Sequence, residues 1–204
     1  MTRRQKKGRK ENTRSVRFPR ILIITEGEKT EVAYFQSIKR LMDQKYHEQL
    51  IVEKVDLEIE GAGQSTSKLI PIAEKLRLKN EYLEVWLVFD KDRFTDFDVA
   101  IRNAESKNMK VAWSNISFEL WFLLHFEEVT APLSNQILTQ KLKNHVADYS
   151  KSQSLTYMNL EQYVDLAITR AIRANERFES HIIFSERNPS TRVVELVSML
   201  KRYL

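Results

Sequence analysis

Two uninterrupted apolar runs, residues 21–24 (Ile-Leu-Ile-Ile) and 85–89 (Val-Trp-Leu-Val-Phe), constrain this chain most, because each leads straight into acidic residues. A strand with one wet face alternates in polarity. A continuous apolar run instead predicts a strand covered on both faces, as in the middle of a parallel sheet. The first run lies between Pro19 and Gly27 and predicts a strand over residues 20–25; the second predicts one over 84–89.

The rest of the chain fits around these two strands. Residues 28–43 predict a helix with Val32, Phe35, Ile38 and Met42 on one side. Residues 51–59 predict a second strand; strict alternation from Val55 to Glu60 gives it one wet face and an edge position. A Gly61–Ser65 loop leads to a helix reaching about Asn80, capped by Ser65 or Thr66. Pro71 suits that helix only if its first turn begins near Leu69. A helix over 96–107 and a strand over 110–114 complete four strand–helix alternations, the pattern of a doubly wound α/β layer. The expected fold class is therefore α/β: a mostly parallel, Rossmann-like sheet of about four strands flanked by helices, with a helical C-terminal portion. After Ser117 helices are expected at 118–126, at 135–146 and from Leu160 onward. Residues 182–184 predict a short last strand, and Asn188-Pro189 predicts the start of the terminal helix, with Asn as cap and Pro in its first turn.

The net charge of +5 conceals an uneven distribution. Residues 1–20 hold nine Lys/Arg against one acid, leaving 24 basic against 27 acidic groups in the remainder. The division expected is a basic, disordered tail (1–19), an α/β core (20–126) and a mainly helical extension packed on it (127–204). A cationic tail attracts polyanions through counterion release, or serves only as a solubilising arm. Cysteine is absent, which excludes disulfides, thiol nucleophiles, iron–sulfur clusters and cysteine-bound zinc. Apolar runs fall far short of the roughly 20 residues of a membrane span, and no apolar stretch follows the basic start. A cytoplasmic protein without membrane contact is expected.

Open parallel sheets place functional residues just past the carboxyl ends of their strands. Those ends read Thr25-Glu26-Gly27-Glu28, Gly61-Ala62-Gly63-Gln64, Asp90-Lys91-Asp92 and Ser114-Asn115, with Glu119 shortly after. Asp90 and Asp92 are two apart in extended chain and point the same way. Their like charges raise a pKa unless a cation lies between them, and hard oxygen donors select Mg²⁺ or Mn²⁺. Acids after so apolar a run also mark a strand meeting water. Glu26 ends the other central strand and suits acid–base work or a further metal contact, while Gly27 permits a tight turn or a phosphate's close approach. The dipole of the following helix explains acids here as well. That explanation suits Glu28, whereas Glu26 belongs with the site. Arg170, Arg173 and Arg177 recur at i, i+3 and i+7, opposite their helix's apolar stripe, a spacing that suits a phosphate backbone or a solvated face. Lys91 and Arg93, interleaved with the acids, are further candidate nucleic-acid contacts.

Glu-Gly after a first buried strand, and Asp-x-Asp after a second some 60 residues on, resemble the Toprim superfamily of nucleotidyl-transfer and hydrolytic enzymes. Within it the chain resembles RloB-like proteins, bacterial defence-associated members often accompanied by an ATPase. The segments that carry the likeness are Ile24 to Glu31, Gly61-Ala62-Gly63, Val88 to Arg93, Asn115 to Phe126 and Asn188 to Thr191. The resemblance implies acid–base catalysis by Glu26, Mg²⁺ coordination by Asp90 and Asp92, and a place for Glu119 at the metal shell. One departure is that the Gly61–Gln64 loop lacks an acid found in some relatives. His125, six residues beyond Glu119, points away from it on a regular helix and reads as structural.

The expected function is Mg²⁺-dependent hydrolysis of phosphodiester bonds in nucleic acid. RNA (tRNA-like) is placed ahead of DNA because the related defence nucleases favour it. The alternatives are a non-catalytic docking or sensing subunit for an ATPase, and a receiver-like phosphoacceptor. The latter fits poorly, since its paired acids belong after the first strand. No Gly-x₄-Gly-Lys-Ser/Thr motif occurs, so any ATP use belongs to a partner. Homo-oligomer formation stays open.

Overall fold

The computed structural model describes residues 19–48, 55–91, 95–147, 149 and 155–204. Residues 1–18, residues 51–54 of the expected second strand, and Asp92 and Arg93 lie outside them. Five strands form one sheet in the order β2-β1-β3-β4-β5. They are β1 (Arg20–Thr25), β2 (Asp56–Gly61), β3 (Glu84–Asp90), β4 (Lys110–Asn115) and β5 (Ser190–Thr191). The first four pair in parallel and β5 runs antiparallel to β4, so the fold class is α/β, with the short last strand at 190–191. The helices are α1 (Thr30–Glu48), α2 (Thr66–Arg77), α3 (Phe97–Ser106), α4 (Glu119–Phe126), α5 (Asn135–His145), α6 (Tyr157–Leu160), α7 (Val164–Glu176) and α8 (Val193–Lys201).

The apolar runs behave as their composition requires. All of Ile21, Leu22, Ile23 and Ile24 are buried, and successive residues serve opposite faces. Ile21 and Ile23 join Trp86 and Val88 on one face, under Tyr34, Phe35 and Ile38 of α1 and residues from α4 to α8. Leu22 and Ile24 join Val85, Leu87 and Phe89 on the other, under Leu69 of α2 and Ile101 of α3. From β1 the chain moves outward to β2, then returns past β1 to β3 and β4. The order therefore reverses between β1 and β3, and their carboxyl ends open the crevice where α/β sheets place their chemistry.

β2 holds the edge, as its alternation predicts, but runs to Gly61 rather than 59. A side chain at 61 would sit 2.8 Å from Val32 Cγ2, so only glycine lets α1 pass this closely. α1 starts at Thr30, leaving Glu28 before the helix; its carboxylate lies over Gly63, whose φ is +56°.

Other expectations fail for identifiable reasons. α2 begins at Thr66, so Pro71 stands in its second turn. Pro71 and Ser67 are both exposed, so the carbonyl deprived of a helical donor faces water. Residues 182–184 form no strand. A 3₁₀ turn spans Phe184–Glu186, and the Phe184 and Ser185 N–H groups donate to Asp98 Oδ1 at 2.6 and 3.3 Å instead of to a ladder. Asn188-Pro189 does not open the last helix. The bond is cis, Asn188 brackets Leu133 through that residue's N–H and C=O (3.1 and 2.9 Å), and β5 intervenes before α8. Among the described residues no helix is long and apolar enough to cross a membrane.

Candidate functional site

β1 ends in a turn closed by the Thr25 hydroxyl, which donates to Gly27 O at 2.6 Å. Glu26 N–H still reaches Val88 O at 2.8 Å, so Glu26 leaves the sheet beside β3. Its Oε2 lies 3.4 Å from the Asp90 N–H and 3.5 Å from the Thr66 hydroxyl at the start of α2. The structure thus sets the Glu26 carboxylate against the Asp90 backbone N–H across the crevice. Asp92 and Arg93 lie outside the described residues.

Two further acids meet them. Glu119 opens α4 and is 4% exposed; Glu31, in the first turn of α1, is 8% exposed. Each sits at a helix start, where the dipole favours negative charge. Glu31 packs so tightly on Gly27 that a Cβ there would fall 2.3 Å from its Oε2. Burial, then repulsion from Glu31, Glu119 and Glu26, pushes the Asp90 carboxyl well above the usual carboxylate range, although the Phe118 N–H opposes this. Asp90 Oδ1 is buried with no hydrogen-bond partner among the described residues.

The floor is aromatic. Tyr34 packs edge-on against Phe35 and Phe118, and Phe118 against Phe122. Trp121 Nε1 donates to the Tyr34 hydroxyl at 2.8 Å, which ties the acid-bearing starts of α1 and α4 to one framework.

Sequence patterning alone did not single out Glu31 or Tyr149. An acid in the first turn of a helix looks like ordinary dipole compensation, although Gly27 four residues earlier was an available signal. Tyr149 follows α5 and is 2% exposed. Burial, with the charges of Glu119 and Glu31, raises its hydroxyl pKa, and the ring packs in the core on the α1 side of the sheet. No local pattern marks it.

The candidate arginines serve packing in part. Arg170 donates to Leu124 O at 2.8 Å and Arg177 to Val129 O at 3.2 Å, pinning α7 over the end of α4 and the segment after it. Arg173 is exposed. Lys91 N–H bonds Ser114 O at 2.9 Å, continuing the β3–β4 ladder past Asp90. His125 is buried with Nδ1 2.8 Å from Trp121 O, a structural placement. Asn115 donates to Ser185 O at 2.9 Å.

The family model described as RloB-like protein matches residues 21–200. The chain belongs to the RloB-like family. No curated protein and no solved structure matches it. The matched span takes in all four clustered acids and Tyr149 of this RloB-like chain.

Donor chemistry here is oxygen only, which suits Mg²⁺ or Mn²⁺. Among the described residues no three His, Asp or Glu side chains are spaced to cage an ion. Mg²⁺ needs no such cage, because it retains several waters and binds through one or two carboxylates. The open Oδ1 of Asp90 amid repelling acids fits that mode. A surface cavity lined by Arg20, Tyr46, Asp56, Arg77 and Tyr82 lies at the opposite rim of the sheet and contains none of these acids.

Proposed function

We propose that this RloB-like protein is a divalent-cation-dependent endonuclease, built on a Toprim-type sheet, that hydrolyses phosphodiester bonds in nucleic acid. RNA is the favoured substrate, cytoplasmic anti-phage defence the setting, and an ATPase the partner that supplies any ATP use. The observation that carries the reading is the meeting of Glu26, Glu31, Asp90 and Glu119 at the crevice between β1 and β3, with Asp90 Oδ1 left without a hydrogen-bond partner among the described residues.

In this reading Asp90, Asp92 and Glu119 hold the ion, with Glu26 in reach of it. The ion, once bound, neutralises charge on the scissile phosphate and acidifies the attacking water. Glu26, positioned by Thr66 and the Asp90 N–H, takes the proton as the water oxygen bonds to phosphorus. The ester P–O bond breaks and the leaving oxygen takes a proton from solvent, while Glu26 returns its own proton to water. Lys91, Arg93 and Arg173, with the basic tail, contact the flanking backbone.

The test is turnover of labelled tRNA and single-stranded DNA by the purified chain in Mg²⁺ or Mn²⁺, with and without the ATPase. Cleavage is expected, with losses beyond about 10²-fold in Glu26→Gln and Asp90→Ala while circular dichroism stays unchanged. Full activity in either variant removes the mechanism. No turnover under any of these conditions would identify a docking or sensing subunit instead.

A further inference from the structure

The outer face of α7 is apolar where a helix that faces water is polar. Val164, Ala167, Ala171 and Ala174 are buried on its inner side. On the other side Leu166 is 50% exposed and Ile172 46%. Exposed apolar residues continue past both ends, with Met158 before the helix and Ile182, 84% exposed, after it. Single exposed apolar residues are ordinary, but a run of them along one helix marks a surface that something covers.

The charges on that face indicate what covers it. Glu161, Asp165, Glu176 and Glu179 outnumber Arg173 and Arg177, so neither an anionic membrane nor a length of nucleic acid suits the whole face. The face is instead complementary to its own reverse. Thr169 stands midway, and the positions equidistant from it match: Leu166 with Ile172, Asp165 with Arg173, Gln162 with Glu176, Glu161 with Arg177. All nine residues are exposed. A second α7 running antiparallel, related by a two-fold axis at Thr169, sets apolar against apolar and each acid against an amide or a cation. Residues 162, 166, 169, 173 and 176 follow steps of four and three, the period of a helix–helix seam. Thr169 is small, and its hydroxyl already donates to Asp165 O at 2.9 Å, so covering it strands no polar group. Asp165 meets Lys201, yet its side chain stays 82% exposed and has room for a second cation.

We propose that two copies of this chain associate through α7, the helices antiparallel across a two-fold axis at Thr169. The proposal uses none of the acids at the crevice and stands apart from the nuclease reading. A carboxylate takes two of the five donors of Arg173, which leaves that side chain able to reach a phosphate at the edge of the pair. One helix face is smaller than the roughly 800 Å² per partner of a standard interface, so a dissociation constant of about 10–100 μM is expected.

Sedimentation equilibrium of the full chain across that concentration range tests the proposal. The weight-average mass should climb toward twice that of one copy. Leu166→Glu and Ile172→Glu, both at exposed positions, should hold it at one copy with circular dichroism unchanged. A single-copy mass throughout overturns the proposal, as does association that a folded variant of either kind leaves intact. The register has its own test. The chain has no cysteine, so Thr169→Cys introduces a single thiol. Oxidation should link two Thr169→Cys copies through a disulfide, while Leu78→Cys, at a still more exposed position, stays unlinked at the same concentration. No link at position 169, or equal linking at both positions, overturns the two-fold axis at Thr169. Association that appears only with added RNA, and vanishes when the RNA is digested, would make this face a nucleic-acid contact and overturn the dimer.

Discussion

Two polar clusters lie below the surface of this molecule, and they are built to opposite rules. Around β5 every group has a partner. Asn175 Oδ1 accepts from the Ser190 hydroxyl at 2.7 Å and the Thr191 N–H at 3.0 Å, its amide donates to Thr191 O at 2.9 Å, and Thr191 Oγ1 lies 2.9 Å from Ser114 Oγ. At the carboxyl ends of β1 and β3, Glu31, Glu119 and Glu26 repel the buried Asp90 carboxylate, whose Oδ1 has no hydrogen-bond partner among the described residues. A satisfied cluster adds stability and specifies one arrangement. An unsatisfied one holds free energy that an incoming ligand can release. The first therefore reads as architecture, the second as a site.

Substitution should separate the clusters cleanly. The largest effect is expected from Asp90→Asn, which should abolish cleavage by about 10³-fold yet raise stability by about 1–2 kcal/mol in urea melts, because a repelling buried carboxyl is gone. A loss of stability there would break the comparison. Asn175→Ala should do the reverse, costing about 2–3 kcal/mol while leaving kcat per folded molecule unchanged.

His125 is an intermediate case, with Nδ1 satisfied and Nε2 buried without a hydrogen-bond partner among the described residues. Burial, aided by Arg170, pulls its pKa down to about 4 from 6.5. The folded state thus resists a proton that the unfolded chain accepts. Its contribution is complete above pH 6.5 and drains away as pH falls toward 4, by about 3 kcal/mol. Urea melts of His125→Asn should lack that acid limb.

Gly27→Ala should displace the Glu31 carboxylate and slow cleavage about 10-fold with the fold intact. The smallest effects separate the arginines. Arg173→Gln should weaken RNA binding less than about threefold, more at low salt than high, with melting unchanged. Arg170→Ala, which frees Leu124 O, should instead lower the melting temperature.

What sequence patterning could reach follows from how each element is held. β1 and β3 announce themselves because burial on both faces demands an unbroken apolar run. Glu26 and Asp90 follow, since they stand where those runs stop. β5 could not be seen, because two residues carry no period and its pairing depends on Asn175 and Ser114 from distant elements. Asn188-Pro189 resembles a helix cap locally, but Asn188 is committed to Leu133, 55 positions away. Glu31 and Tyr149 were hidden for the same reason: proximity that arises only after folding.

At the far side of the sheet, β2 pairs with β1 and turns its other rim outward. Asp56, Glu58 and Glu60 stand along that strand, with Arg20 and Lys39 reaching only the first two. A rim of backbone donors and acceptors invites a neighbouring chain to add itself, and a row of like charges turns it away. Acids spaced along an edge strand disfavour edge-to-edge pairing between two copies, because like charges would be brought opposite one another.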